Sequence, residues 1–168
     1  MKNDEESSST FIGVDLGTTT SCVGLMNDNT IEILEDGGNG NKFIPSVVCF
    51  TNEAIYVGNS AIGLEGYSKS TIYESKRLIG HKLNDEIIEE DIKRSNVNII
   101  EDKSGYVQYS FKRNNKEIKK YPEEISLEIL KYIKKEVEIK IVIIKSFQNI
   151  YSITSFIIDS VRRTTIKI

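Results

Sequence analysis

The chain has 168 residues, 39% of them hydrophobic and 28% charged, with a net charge of −3 at neutral pH. That length and balance suit one globular domain with a real core. The mild acidity leaves no basic footprint for nucleic acid or an anionic membrane, and no apolar run reaches membrane-spanning length. Residues 1–10 are polar and acidic, the reverse of a secretory leader, and predict a disordered tail on a cytoplasmic protein. The two cysteines, Cys22 and Cys49, lack metal-type spacing. Both lie in strand-like runs and read as small apolar packing residues. The alternative for Cys22, a redox-sensitive thiol beside a ligand, requires a depressed pKa that a sequence does not display.

Phe11-Ile12 opens an apolar run, Leu25-Met26 closes another, and Gly17-Thr18-Thr19-Thr20 lies between them. The pattern predicts a strand, a tight turn and a second strand. Asp15 stands near the end of the first strand. Gly17 lets backbone approach a ligand closely. The three threonines offer N–H groups and hydroxyls around one concavity, which is an anion site. One carboxylate beside it suits a hydrated Mg²⁺. Read from these residues alone, the stretch is either a phosphate-binding hairpin or an ordinary threonine-rich one. It is not a Walker loop, because no Gly-Lys-Ser/Thr follows.

Residues 31–35 predict a third strand of a meander, and 36–41 a glycine-rich loop. Val47-Val48-Cys49-Phe50 reads as a short buried strand entered through Ile44-Pro45-Ser46, and residues 54–57 as another. Asn59 is a candidate helix cap. Ile72, Leu78 and Ile79 allow one buried helical face over 72–79, with Gly80 ending the helix. A Lys-Arg pair on such a helix is by itself a solvated face. His81, the only histidine, reads as a surface residue. Residues 85–95 predict a short amphipathic helix. Residues 97–100 and 106–111 predict a hairpin turning at Lys103-Ser104-Gly105, with a further segment over 118–121. Pro122, Glu123 and Glu124 open a strong helix in which Ile125, Ile129, Ile133 and Val137 recur every four residues, ending near Glu138. Residues 139–144 then read as a strand.

The string Asp15-Leu16-Gly17-Thr18-Thr19-Thr20-Ser21-Cys22-Val23-Gly24 closely resembles the first phosphate loop of the heat-shock protein 70 (DnaK-type) chaperones. Thr20 stands where most members carry an aromatic residue, so a main-chain role survives and an aromatic contact is lost. Lys76-Arg77-Leu78-Ile79-Gly80 resembles the family's Lys-Arg-Leu-Ile-Gly motif. Gly58-Asn59-Ser60-Ala61 resembles its Gly-Asp/Asn-x-Ala step, and the run from Tyr121 to Ser126 resembles the opening of one of its helices. The resemblance is continuous over 11–138. It implies an α/β chain with the actin-like, ribonuclease H-like ATPase fold. Lobe one of that fold is a mixed sheet with flanking helices, plus a small α/β subdomain at 44–121. It implies ATP or ADP with Mg²⁺ as cofactors. Asp15, Gly17, Thr18, Thr19 and Thr20 would then hold the nucleotide phosphates, with Asp15 reaching Mg²⁺ through water. Lys76 would be the catalytic lysine, and Arg77 would lie over the adenine face.

Beyond residue 138 the motif-by-motif resemblance stops, and 139–168 reads as a diverged segment. The family's second lobe and its substrate-binding domain have no counterpart here, so the chain resembles a truncated ATPase domain, and no substantial turnover is expected of it alone. The implied role is that of a fragment of a chaperone for ATP-dependent protein folding. Its partners would be unfolded polypeptides, J-domain co-chaperones and nucleotide-exchange factors. The alternatives are a non-enzymatic interaction module or pseudogene product, and a sugar-kinase or actin-like relative sharing the Asp-x-Gly-Thr hairpin.

Overall fold

Strands β1 (Thr10–Asp15) and β2 (Thr20–Asn27) form the antiparallel hairpin expected around the threonine turn, paired from Thr10↔Asn27 to Asp15↔Cys22. A computed structural model describes residues 10–27, 30–38 and 40–147. The expected tail therefore lies outside the described residues, except that Thr10 already belongs to β1. β3 (Thr30–Ile33) pairs with the far half of β2, and β4 (Ile44–Pro45) with its first two residues. Period-2 alternation sends Val23 and Leu25 into the core, where they are 0% and 2% exposed. On the opposite face Phe11, Met26 and Ile31 stand in register across the three strands at 64%, 39% and 70% exposure.

A second sheet has the order β6-β5-β7, with β5 (Val47–Phe50) fully buried between β6 (Ile55–Val57) and β7 (Thr71–Tyr73). A third has the order β10-β9-β8. There β8 (Asn98–Glu101) and β9 (Val107–Arg113) make the predicted hairpin, and β10 (Lys116–Lys120) returns through Asn114 and Asn115. Both asparagines adopt positive φ, as such a tight return requires. Every described strand pair is antiparallel, where a mixed sheet was expected. The cause lies in the long helix. The segment 139–144, which as a strand after a helical crossover would pair in parallel, is itself helical.

Two helices complete the described chain. The short α1 (Glu89–Arg94) meets the expectation over 85–95, with Ile88 buried just before it. α2 (Pro122–Phe147) starts at the predicted proline but runs past Glu138. Ile125, Ile129, Ile133, Val137 and Ile141 form its buried stripe, between 0% and 8% exposed. The fourfold period thus continues through the segment expected to be a strand. Each of these side chains contributes about 1.5–3 kcal/mol as an upper estimate. The stripe joins one core with Leu25, Ile44, Val48, Ile72, Leu78 and Val107, so a single helix backs all three sheets.

Two smaller expectations fail. Residues 72–79 are not a helix. β7 ends at Tyr73, Glu74 turns left-handed at φ 48°, and a single 3-10 turn covers Ser75–Leu78. The pairing of Val47, Val48 and Cys49 with Tyr73, Ile72 and Thr71 claims the segment for the sheet. Gly80, at φ 75°, does end the motif. Asn59 does not cap a helix either. It lies inside the 3-10 turn Gly58–Ala61 and uses its side chain and backbone N–H on the buried Asp36 carboxylate, at 2.6 and 2.9 Å. Tyr132 of α2 donates to the same carboxylate at 2.6 Å. Burial and that bond push the Tyr132 phenol up from its ordinary value. No helix among the described residues is long and apolar enough to cross a membrane.

Candidate functional site

The turn between β1 and β2 is closed more tightly than any side chain but hydrogen allows at Gly17. A Cβ there would stand 2.0 Å from the Thr20 carbonyl oxygen. The turn is also fastened from outside. The Ser46 hydroxyl donates to the Gly17 carbonyl at 2.9 Å, and the Ser46 N–H donates to the Thr19 carbonyl at 2.8 Å. The Ser46 and Ser21 hydroxyls, both buried, lie 3.0 Å apart. Asp15, at the end of β1, is exposed, and its carboxylate has no partner among the described residues. Thr18 follows in the turn, half-buried, and Thr19 and Thr20 are exposed. The free thiol of Cys22 pairs across from Asp15 and is half-buried.

Lys76 reaches this turn from 60 residues away: its Nζ donates to the Leu16 carbonyl at 2.5 Å. The 3-10 turn that carries it packs against α2 and buries Ser75 and Leu78, which fixes the base of the exposed lysine. Arg77 points elsewhere. Its Nε donates to Glu74 at 2.7 Å and lies 3.8 Å from Asp91. Its side chain is 45% exposed and borders a cavity of about 100 Å³ with Tyr73, Leu78, Asp91, Arg94 and Tyr109. Glu74 bridges the two regions, because its other oxygen accepts the Thr19 hydroxyl at 2.9 Å. The Arg77 bond, then the Thr19 bond, hold the Glu74 carboxyl below its usual range, and the same Glu74 bond raises Arg77.

The predicted residues Asp15, Gly17, Thr18, Thr19, Thr20 and Lys76 therefore meet at one place, and Arg77 joins them through Glu74. Sequence reasoning missed Glu74 and the clamp formed by Ser46. The Pro45-Ser46 dipeptide was visible as the entry to a strand, but nothing local marks Ser46 as a partner of a turn 29 residues earlier. The donor set fits a magnesium-bound phosphate. Mg²⁺ keeps most of its waters and takes one or two carboxylates plus phosphate oxygens. Here a carboxylate without a partner among the described residues and threonine hydroxyls stand on one turn, and the Lys76 ammonium reaches that turn from Ser75–Leu78.

Comparison with known proteins identifies the family. The Hsp70 protein family model matches residues 11–166, past residue 138 where the motif-by-motif resemblance ends. The chain is 38% identical over 130 residues to a heat shock 70 kDa protein of Trichophyton rubrum, covering 76% of this chain and 19% of that one. It is 36% identical over 130 residues to the chaperone protein DnaK of Buchnera aphidicola, covering 76% and 20%. It is 36% identical over 135 residues to a heat shock protein 70 homolog of Acanthamoeba polyphaga mimivirus, covering 71% and 13%. The chain thus spans about a fifth of the length of the heat shock 70 kDa and DnaK relatives it matches. The sugar-kinase and actin-like alternatives give way to these matches. With its threonine turn and its Lys-Arg-Leu-Ile-Gly motif meeting in space, and a family match over most of its length, the chain belongs to the Hsp70 family.

Proposed function

We propose that this chain carries the first phosphate-contacting half of an Hsp70-type ATPase and serves ATP-dependent protein folding through it. In this reading the described residues are lobe one of an actin-like fold, with 44–121 as its appended subdomain. Asp15, Gly17, Thr18, Thr19 and Thr20 cradle the phosphates, and Asp15 orders the water shell of Mg²⁺. Lys76 places its ammonium where negative charge develops on the transferring group, and also positions the attacking water. Arg77 keeps one guanidinium face open for the adenine while Glu74 and Asp91 hold its edge. Mg-ATP supplies the transferable phosphoryl group. Unfolded polypeptides, J-domain co-chaperones and exchange factors are the partners in a cytoplasmic setting.

The observation that carries the reading is the Lys76 Nζ contact with the turn at Leu16, across 60 residues of chain. Phosphoryl transfer depends on converging groups, and one turn with one lysine supplies half of them. Isothermal titration of the folded full chain with Mg-ATP, with circular dichroism as the folding control, tests it. Saturable binding supports the reading. Where turnover is measurable, Lys76→Ala is expected to lower it about 10²-fold while changing affinity far less. Equal losses in both would assign Lys76 to binding alone.

A second reading draws on the exposed row Phe11, Met26 and Ile31, which suits contact with another protein surface. In that reading the chain is a non-enzymatic interaction module. A folded chain with no affinity for Mg-ATP would favour it.

A further inference from the structure

We propose that Glu74 is a positioning residue that locks the Lys76–Arg77 turn to the phosphate turn through Thr19. Its function rests on the phosphate-site reading above; its geometry does not.

The backbone gives the first argument. Glu74 sits at φ 48° and ψ 35°, a left-handed conformation costly for a side chain that is neither Gly nor Asn. Such a conformation persists where the surroundings over-determine it. Here it ends β7 and starts the 3-10 turn, with the Arg77 N–H donating to the Glu74 carbonyl at 3.0 Å. The carboxylate gives the second argument. Both its oxygens are used, one by the Thr19 hydroxyl 55 residues earlier at 2.9 Å and one by Arg77 at 2.7 Å. An ordinary exposed i,i+3 ion pair would engage Arg77 alone and contribute little. The charge itself acts in the opposite direction. A carboxylate beside an anion-binding turn repels phosphate, so its charge alone lowers affinity. Arg77 offsets that charge, and what remains for Glu74 to contribute is geometry.

Charge and geometry at Glu74 therefore predict opposite effects on binding. Mg-ATP titration and ligand-free amide hydrogen exchange would be measured on the full chain and on Glu74→Ala, Glu74→Gln, Thr19→Val and the double variant Thr19→Val/Glu74→Ala. Loss of a repelling charge alone tightens binding. Positioning predicts that Glu74→Ala weakens it about fivefold, with the double variant no worse than the single. Glu74→Gln keeps an acceptor for Thr19 but loses the second acceptor for Arg77, and should fall between. Equal or tighter binding by Glu74→Ala overturns the proposal. If the parent chain does not bind Mg-ATP, the phosphate-site reading fails, and hydrogen exchange alone decides on Glu74. Faster exchange at Thr18 and Thr19 in Glu74→Ala, with β9 unchanged, supports the lock, and unchanged exchange overturns it. If Glu74→Ala does not fold, Thr19→Val takes its place. Faster exchange over Ser75–Leu78 then supports the lock and unchanged exchange overturns it.

Discussion

Gly17 shows how much one missing methyl group decides. Any Cβ there meets the Thr20 carbonyl at 2.0 Å, and that atom is backbone, at the first residue of β2. Gly17→Ala is therefore expected to cost about 1–3 kcal/mol, read from urea denaturation, and to open the turn as the chain makes room. A loss below a few tenths would mean that the turn already relaxes in solution. Gly17 was legible in the sequence because a steric demand on backbone is local, and so were Asp15 and the threonines around it. Glu74 and Ser46 were not legible. Their roles depend on partners 55 and 29 residues away, and neither residue type is unusual where it stands.

At the scale of elements, periodicity was a good guide to α2 and a poor one to its end. Ile125, Ile129, Ile133 and Val137 announced the helix, but the apolar run after residue 138 is equally strand-like in composition. A helix already nucleated extends at the cost of one residue at a time, and Ile141 falls on the same buried stripe. The reverse error occurred at 72–79, where pairing with β5 overrode a helical spacing. The hairpin of β8 and β9 was read correctly from its turn residues, which act locally. One fault within α2 gives a prediction. The Ser126 hydroxyl is the buried side-chain polar atom without a hydrogen-bond partner among the described residues. Ser126→Ala removes that unmet donor and improves helix propensity, so it should raise stability by about 1 kcal/mol. An increase in the thermal midpoint checks it, and a decrease would show that the hydroxyl finds a partner in solution.

Across the whole molecule, the buried Asp36 carboxylate ties three regions together: its own loop, the 3-10 turn at Asn59, and Tyr132 of α2. Gly58 makes the approach possible, since a Cβ there would lie 2.8 Å from the carboxylate. Tyr132→Phe removes one donor from a buried acceptor while keeping the ring. It should destabilise the chain by about 1.5–3 kcal/mol. A urea midpoint unchanged within error would mean that water replaces the phenol. The contact between Lys76 and Leu16 has a different kind of consequence, in time rather than energy. Closing a loop of 60 residues costs about 3.6 kcal/mol of chain entropy by the (3/2)RT ln n estimate, whereas the hairpins and α2 close locally. Refolding should therefore form the local pieces first and bring the lysine to its turn near the end. Substitutions at position 76 are then expected to quicken unfolding and leave the folding rate almost untouched.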